Sequence, residues 1–351
     1  MRILIVRLSA LGDLVHTLPM VSALRRAYPS AEIHWAVDER FVEMVDMVPV
    51  VDKTIKFHRT GIGSWLGAWR LLRRLRYYRY DIAVDAQGLL KSALIARLSG
   101  ASRVVGFDEL SLREPIAEWF YTEVVSVSNI SHVVDKNLAL TAHLGLHGND
   151  WDFPLGMVDS TALIQTRLNL GLESGTDFAL LNPGTAWGSK CWEPKRFGEL
   201  AQCLWERLHL RSVVTWGPGE EELAHEVVNT SKGAAVMAAP TGISDLVMHV
   251  RAAAVVVAGD TGPLHLAAAV GAPVVGIYGP SDPGRNGPWS AEDGILSMFS
   301  ACQCRADREL TGSKGVVIRF CQRPKRCLDD LSVQDVFEAV ERRLSRRVNH
   351  G

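Results

Sequence analysis

A carboxylate stands where the first predicted strand of the chain gives way to the first predicted helix. The apolar run Arg2–Val6 is followed by the polar turn Ser9-Ala10-Leu11-Gly12-Asp13. One interpretation makes Asp13 the N-cap of the helix, where aspartate is favoured and the helix dipole stabilises its charge. The other makes it a general base at the mouth of a binding cleft. The residues alone leave both interpretations open.

A lysine and a hydroxyl follow a second predicted strand, in the stretch LNPGTAWGSKCWEPKRF. Strand Phe178–Asn182 is predicted to end in a loop that carries Thr185 and Lys190, before a helix begins near Pro194. Free backbone amides, a hydroxyl and one ammonium group suit a diphosphate. Lys190 can equally be a solvated loop lysine.

A similar loop occurs in VVVAGDTGPLHLAAAVGAPVVGIYGP. Strand Val255–Gly259 is predicted to end just before Asp260, and Pro263 is suited to the first position of a helix. The positive end of that helix would expose backbone amides to a bound anion. His265 can hydrogen-bond a phosphate or a sugar, or it can be a helix histidine whose hydrogen bonds are satisfied internally.

A third loop, WGPGEEELAHE, follows the predicted strand Ser212–Trp216. Glu220 opens the next helix, and a carboxylate after a strand can accept hydrogen bonds from both ribose hydroxyls, as acids do in dinucleotide folds. For Glu221 and Glu222 a favourable interaction with the helix dipole explains the acid equally well.

Between Lys53 and Arg79 the chain carries eight cationic residues and no acidic one. Trp65 and Trp69 lie four residues apart among leucines at helical spacing. A basic amphipathic helix is typical of contact with a membrane surface or a polyanion, and it would suit an acidic, lipid-anchored acceptor. A solvated helix face is the other interpretation.

These loops belong to two sets of alternating strands and helices, which predict parallel sheets covered on both faces. Ligands of such sheets bind beyond the carboxyl ends of the strands. We therefore predict an α/β protein of two doubly wound, Rossmann-like domains, residues 1–165 and 166–351, that face each other across a cleft. The final helix, about Val333 to Arg346, is placed in the second domain or packed back on the first. The predicted strands are Ile3–Val6, Ile33–Val37, Thr54–Phe57, Ile82–Asp85, Val104–Phe107, Phe178–Asn182, Ser212–Trp216, Ala234–Ala238, Val255–Gly259 and Val274–Tyr278.

Composition narrows the class of protein. The 351 residues are 47% hydrophobic, which suffices for two cores, because single cores rarely grow past roughly 250 residues. A formal net charge of -1 argues against general nucleic-acid binding. We expect a soluble intracellular protein, since no signal peptide is apparent and no apolar run reaches the roughly 20 residues of a membrane span.

Cysteine spacing does not indicate a metal site. Four of the six cysteines cluster near the end of the chain, but as C-x-C and C-x5-C rather than the paired C-x2-C that zinc sites usually show. No metal is predicted. The absence of G-x-G-x-x-G after the first strand also argues against ordinary dinucleotide binding there.

Taken together, the motifs resemble glycosyltransferase family 9, the bacterial lipopolysaccharide heptosyltransferases. The resemblance rests on RLSALGDLVHTLP, DAQGLLKSAL, LREPIA, NPGTAWGSKCWEP and DTGPLHLAAAVGAPVVGIYGPSDPG, which occur in family order over about residues 1 to 340. DAQGLLKSAL and LREPIA are closer to the heptosyltransferase I branch than to the heptosyltransferase II branch. The resemblance implies a GT-B fold, with the donor on the second domain and the acceptor on the first.

The resemblance also implies an activity, the metal-independent transfer of L-glycero-D-manno-heptose from ADP-heptose to a Kdo residue of Kdo-lipid A, with inversion and without a cofactor. Asp13 would be the general base, and Lys190 would steady the diphosphate leaving group. The expected donor-binding residues are Thr185, Glu220, Asp260, Thr261, Gly262, Leu264 and His265. The expected acceptor-binding residues are Ser9, Gln87, Lys91 and Arg113.

A lipid-anchored acceptor implies a cytoplasmic protein associated peripherally with the inner face of the cytoplasmic membrane. Two alternatives keep the family and the fold but change the substrate. One is a different heptose acceptor, as in the heptosyltransferase II branch, and the other is a different nucleotide sugar. A non-catalytic sugar-nucleotide-binding protein is disfavoured, because Asp13, Lys190 and His265 are all present.

Overall fold

The computed structural model describes the chain apart from residues 59–72, 131, 147, 149, 174, 311–319, 322 and 349–351. The chain divides into two compact units, Met1–Met157 and Val158–Gly351. The predicted boundary between residues 165 and 166 falls inside a helix, Thr161–Leu170, that packs within the second unit. The division therefore lies earlier in the chain than predicted.

The first unit is built on a six-stranded parallel sheet with the strand order β3-β2-β1-β4-β5-β6. Its strands are β1 Arg2–Val6, β2 Glu32–Asp38, β3 Lys53–Phe57, β4 Ile82–Asp85, β5 Arg103–Phe107 and β6 Glu123–Val125. Its α-helices are α1 Leu11–Val15, α2 Leu18–Ala27, α3 Val42–Asp46, α4 Leu90–Leu98 and α5 Val133–His143, besides a helical stretch at 73–77.

The second unit repeats this plan with the strand order β12-β11-β10-β7-β8-β9. Its strands are β7 Ala179–Asn182, β8 Ser212–Val214, β9 Ala235–Met237, β10 Val255–Gly259, β11 Val274–Tyr278 and β12 Gly294–Ser297. Its α-helices are α6 Thr161–Leu170, α7 Pro194–Leu208, α8 Glu221–Thr230, α9 Ile243–Ala252, α10 Gly262–Ala269, α11 Pro283–Asn286, α12 Gln303–Leu310 and α13 Val333–Val348. The final helix, α13, packs against α7 and β12 of this unit.

Burial on both faces explains why the central strands are continuous apolar runs. Along β10, Val255 and Val257 join the core cluster around Phe197, whereas Val256 and Ala258 join the cluster on the other face. Burying each large apolar side chain contributes roughly 1.5–3 kcal/mol. The core thereby fixes where each strand ends, and so where each following loop begins.

Each sheet has one point where its winding reverses. In the first sheet this point lies between β1 and β4, with Val6 paired to Asp85. In the second it lies between β7 and β10, with Ala258 paired to Asn182. Open α/β sheets bind ligands in the crevice outside the carboxyl ends of the strands at such a point. The loops after these four strands are therefore the positions where a site is expected.

The ten predicted strands are all present, and their ends differ by at most two residues from the prediction. The largest difference is at β8, which ends at Val214 rather than Trp216. Two strands were not predicted, β6 and β12. Both are edge strands with partly exposed side chains, so neither forms the apolar run of a central strand.

The predicted basic amphipathic helix lies largely outside the described residues. Arg59, Trp65, Trp69 and Arg70 all fall in the stretch 59–72. Beyond it, Arg73, Arg74 and Arg76 are exposed on the helical stretch 73–77. Of the helices that the structure describes, none is both long enough and apolar enough to cross a bilayer.

Candidate functional site

The loop after β1 holds Asp13 by two polar contacts. Ala10 is the N-cap of α1, and Asp13 occupies the third position of that helix. One carboxylate oxygen of Asp13 accepts the backbone N–H of Ala10 at 3.0 Å, and the other pairs with the guanidinium of Arg7 at 2.7 Å. The interpretation of Asp13 as the N-cap residue is therefore wrong, although its carboxylate does cap the helix from within the first turn.

Arg7 is a buried cation beneath an accessible acid. Its side chain is 9% exposed and also donates to the carbonyl oxygen of Ala86, whereas the Asp13 side chain is 40% exposed. The guanidinium thus fixes the orientation of a carboxylate that a hydroxyl from outside can still reach. A general base needs both properties, a fixed position and access to the proton that it removes.

Gln87 links the loop after β4 to the loop after β1, because its side-chain oxygen accepts the backbone N–H of Leu8 at 2.7 Å. The turn that carries Gln87 is held by Asp85, whose fully buried carboxylate accepts four hydrogen bonds. The donors are the backbone N–H groups of Gln87 and Gly88 and the hydroxyls of Ser92 and Tyr121. Burial raises the pKa of Asp85, and these donors act against that rise. Asp85 therefore supports the loop rather than facing a ligand.

The residues predicted to contact the acceptor all lie beyond carboxyl ends of strands in the first sheet. Ser9 follows β1, Gln87 and Lys91 follow β4, and the exposed Arg113 follows β5. The ammonium of Lys91 lies 4.2 Å from the ring centre of Phe57, the last residue of β3. The sheet thus brings these residues to one edge, while their contacts with an acceptor stay a prediction.

In the second unit, Asp260 is the centre of a polar cluster directly after β10. Its side chain is 3% exposed. Oδ2 forms an ion pair with the ammonium of Lys190, while Oδ1 lies 3.2 Å from Nε2 of His265 and accepts Nδ2–H of Asn286 at 2.7 Å. Burial raises the pKa of Asp260, but the hydrogen bond from His265 and the charge of Lys190 outweigh it, and the pKa lies well below its usual value. Asp260 is therefore an ionised carboxylate that holds Lys190 at the end of β10.

Lys190 reaches this cluster from a short 3-10 helix, Gly188–Lys190. Its side chain is 15% exposed, and its ammonium lies 4.6 Å from the ring centre of Trp187. The interpretation as a solvated loop lysine is therefore wrong. Asp260 directly precedes Thr261, the N-cap of α10, so the ammonium lies beside the positive end of that helix.

α10 begins at Gly262, one residue before the predicted start at Pro263. The Thr261 hydroxyl donates to the carbonyl oxygen of Gly259 at 3.1 Å, and among the described residues no side chain caps the helix. Its first backbone N–H groups suit an anion for this reason. The Leu264 side chain is buried in the core, so its predicted donor contact depends on the backbone alone.

The loops after β7 and β8 meet at Glu220, the N-cap of α8. Its carboxylate accepts the backbone N–H of Gly217 at 2.9 Å and lies over Gly184, so close that a Cβ atom at residue 184 would overlap it. Thr185 follows in the same loop, and its hydroxyl bonds with the backbone of Trp187 at 3.2 Å. The acid predicted to bind ribose is thus brought to the end of β7.

Two residues of these clusters were not among the predicted site residues. Arg7 pairs with Asp13, and its position just after a buried strand was the signal that could have found it. Asn286 bonds to Asp260 from 26 residues further along the chain, and no local pattern relates the two. Only the folded chain brings Asn286 into the cluster.

The cysteines near the end of the chain approach one another. Cys304 and Cys321 have their sulfur atoms 3.2 Å apart. In the described part of the chain, neither of them forms a disulfide bond, and the same holds for Cys302 and Cys327. Burial raises the pKa of Cys327 to about 12, and Cys302 adds to that rise. Within the described part of the chain, no group of three or more His, Cys, Asp or Glu side chains is arranged to hold a metal ion.

Comparison with known proteins identifies the family. The sequence pattern of glycosyltransferase family 9 (heptosyltransferase) matches residues 68–315. Lipopolysaccharide heptosyltransferase 1 of Pseudomonas aeruginosa is 34% identical over 314 residues, which cover 86% of this chain and 85% of that protein. The protein of the same name from Escherichia coli K12 is 31% identical over 323 residues, 88% of this chain and 95% of that one.

Comparison with solved structures agrees with this family assignment. The structure of the E. coli heptosyltransferase WaaC with ADP superposes with a TM-score of 0.73 and 25% identity, covering 99% of each chain. The two parallel sheets with their helices therefore confirm the predicted α/β class and the GT-B fold. This chain belongs to glycosyltransferase family 9, the heptosyltransferases.

Proposed function

We propose that this enzyme is an inverting heptosyltransferase of lipopolysaccharide inner-core synthesis. It moves L-glycero-D-manno-heptose from ADP-heptose to a Kdo residue of Kdo-lipid A. The observation that supports the proposal is the cluster at the end of β10, where Asp260 holds the Lys190 ammonium beside the N-terminus of α10, an arrangement that suits an anion. The proposal is also supported by relatives that are named lipopolysaccharide heptosyltransferase 1 and by the solved relative with ADP.

On the acceptor side, Asp13 acts as the general base. It takes the proton from the acceptor hydroxyl as the hydroxyl oxygen attacks the anomeric carbon of the heptose. The bond between that carbon and the diphosphate oxygen breaks, and ADP leaves from the opposite face, which inverts the configuration. Arg7 keeps the carboxylate pointed outward, as its 2.7 Å contact with Asp13 indicates.

On the donor side, negative charge grows on the diphosphate as the glycosidic bond breaks. The Lys190 ammonium and the first N–H groups of α10 stabilise this charge, because they are already oriented before the reaction begins. His265 hydrogen-bonds the phosphate or the sugar, Thr185 contacts the diphosphate, and Glu220 accepts hydrogen bonds from the ribose hydroxyls. No bound metal is needed in this scheme, since cationic and amide groups supply the compensating charge.

The acceptor is an anionic sugar on a lipid anchor. Ser9, Gln87, Lys91 and Arg113 contact it at the carboxyl edge of the first sheet, and the cationic members offset its charge. We place the enzyme in the cytoplasm, bound peripherally at the inner face of the cytoplasmic membrane. The exposed arginines Arg73, Arg74 and Arg76 support contact with an anionic surface.

A transfer assay tests the proposal. Purified enzyme is incubated with ADP-heptose and di-Kdo-lipid A, and products are identified by mass spectrometry. Addition of one heptose mass is the expected result. Parallel reactions use a UDP-sugar as donor and heptosylated Kdo-lipid A as acceptor. Activity only with the UDP-sugar would contradict ADP-heptose as the donor. Activity only with the heptosylated acceptor would indicate a heptosyltransferase II-like enzyme instead.

Chelation should leave this activity unchanged. We expect the transfer rate after dialysis against EDTA to stay within about twofold of the untreated rate, because the charge on the diphosphate is balanced by protein groups. Adding Mg²⁺ back to the dialysed enzyme serves as the control. A rate that collapses with EDTA and recovers with Mg²⁺ would contradict the metal-free scheme.

Gly184→Ala should weaken nucleotide binding without unfolding the protein. The added methyl group displaces the carboxylate of Glu220, which is the end of a flexible side chain and can move away. We expect ADP affinity to fall by roughly tenfold, the equivalent of one hydrogen bond to a charged group. Calorimetric titration with ADP measures the loss, and the melting temperature reports folding. Unchanged ADP affinity would argue against the placement of Glu220 at the ribose.

A further inference from the structure

Asn286 lies at the end of α11, in the loop that follows β11. The turn is tight, because the backbone N–H of Gly287 donates to the carbonyl oxygen of Pro283 at 2.7 Å and a Cβ atom at residue 287 would overlap that oxygen. Asp282 caps the start of the turn by accepting the backbone N–H of Gly284 at 2.8 Å. These contacts define the local backbone of the turn that carries Asn286.

The partly buried side chain of Asn286 contacts Asp260. Its Nδ2 donates to Oδ1 of Asp260 at 2.7 Å, shorter than the 3.2 Å between the same oxygen and Nε2 of His265. Oδ2, the other oxygen, carries the ion pair with Lys190. The two carboxylate oxygens therefore have different partners, one a cation and the other a pair of ring and amide nitrogens.

The different partners of the two Asp260 oxygens matter when an anion binds. A diphosphate attracts the Lys190 ammonium, and any movement of that ammonium toward the ligand weakens its pairing with Oδ2. Asp260 would then be a carboxylate with a 3% exposed side chain and less compensating charge, which is costly unless other donors remain. Asn286 is such a donor, and as a neutral amide it neither repels the ligand nor titrates.

We propose that Asn286 is a positioning residue for the donor side of the site, which holds the Asp260 carboxylate in place while Lys190 turns to the diphosphate. The inference rests on the proposed function for the identity of the anion. It concerns a residue that reaches the site through Asp260 and need not touch the donor itself.

The isosteric variant Asn286→Asp gives the sharpest test. It keeps the size and shape of the side chain but replaces the donor with a second carboxylate beside Asp260. We expect kcat for heptose transfer to fall by roughly 10²-fold and ADP affinity to fall by roughly tenfold or more, since the second acid retains Lys190 and repels the diphosphate. Asn286→Ala removes the donor without adding charge. For this variant we expect kcat to fall by roughly tenfold and ADP affinity to change by less than about threefold.

Asn169→Asp is the matched control. Asn169 is exposed on α6 and bonds to Gln165, so the same chemical change is made away from Asp260 and should leave both readouts at the wild-type level. Melting temperatures of all variants report folding. If Asn286→Asp matches the wild type in kcat and ADP affinity, or if both Asn286 variants lower only the melting temperature, the inference is overturned. If the wild type binds ADP but transfers no heptose, the proposed function fails, while the loss of ADP affinity in Asn286→Asp, compared with Asn169→Asp, still tests whether Asn286 lies beside the anion site.

Discussion

Asp13→Ala is expected to abolish heptose transfer while ADP binding survives. General base catalysis contributes roughly 10²–10⁴-fold to a rate, and alanine offers no group that can take the acceptor proton. ADP binding should persist, because the residues assigned to the donor belong to the second unit, whereas Asp13 belongs to the first. A transfer assay measures the first effect, and calorimetric titration with ADP measures the second.

The alanine variant also removes structural contacts, so a second variant is needed. Asp13 accepts the backbone N–H of Ala10 within α1 and pairs with the buried Arg7, and losing such a cap costs about 1 kcal/mol. Asp13→Asn keeps an oxygen that can accept either of these donors, but it does not accept a proton at neutral pH. We expect a folded protein with kcat as low as that of the alanine variant. Normal turnover in Asp13→Asn would remove Asp13 from the role of base.

The positions of the central strands could be predicted from the sequence, because strands buried on both faces are apolar runs with distinct ends. β4, β10 and β11 begin and end at the predicted residues. The edge strands β6 and β12 have no such signal, since one side of each is exposed and their side chains are mixed. Pairing with a neighbouring strand defines them, and this pairing is a long-range interaction.

In the candidate site, too, the local sequence predicted which residues matter but not the long-range contacts between them. Asp13, Lys190 and Asp260 each follow a strand, and the rule that ligands bind at the carboxyl ends of strands was enough to select them. The contacts that orient them were not predictable. Lys190 and Asp260 are 70 residues apart, and Asn286 lies 26 residues beyond Asp260, so only the folded sheet brings the three together.

Local rules also gave a wrong detail at Asp13. An aspartate after a strand and before a helix is typical of an N-cap, yet α1 begins at Leu11 and its N-cap is Ala10, three residues before Asp13. One carboxylate oxygen of Asp13 accepts the backbone N–H of that residue, and the other pairs with Arg7. A pattern of residue types does not reveal this ion pair or the helix start that accompanies it.

Lys190→Ala should lower kcat for heptose transfer by roughly 10²-fold or more, by analogy with the loss of one donor to a developing anion. The ammonium is already held beside the N-terminus of α10 by Asp260, so its charge is available as the glycosidic bond breaks. Saturating ADP-heptose separates this effect from weaker binding. A change of less than a few-fold would count against Lys190 as the group that stabilises the leaving diphosphate.

The same substitution leaves Asp260 without its cation, which has a separate effect on stability. Because the pKa of Asp260 is lowered in the folded protein, the ionised carboxylate stabilises the fold above the unfolded-state pKa of about 4, and this contribution is lost as the pH falls through and below that value. Lys190→Ala removes part of it. We therefore expect the difference in free energy of unfolding between the wild type and Lys190→Ala to be largest near pH 7 and to shrink toward about pH 3. Urea unfolding measures this difference.

A double variant separates the two roles of Lys190. In Lys190→Ala the unpaired Asp260 carboxylate should repel the diphosphate, so ADP affinity falls together with kcat. Adding Asp260→Asn removes that charge, and we expect ADP affinity to recover while kcat stays low, because an amide cannot replace the ammonium in the transition state. Recovery of kcat in the double variant would mean that Lys190 acts only by neutralising Asp260. Persistent low kcat with restored ADP binding would instead place the lysine charge on the leaving diphosphate itself.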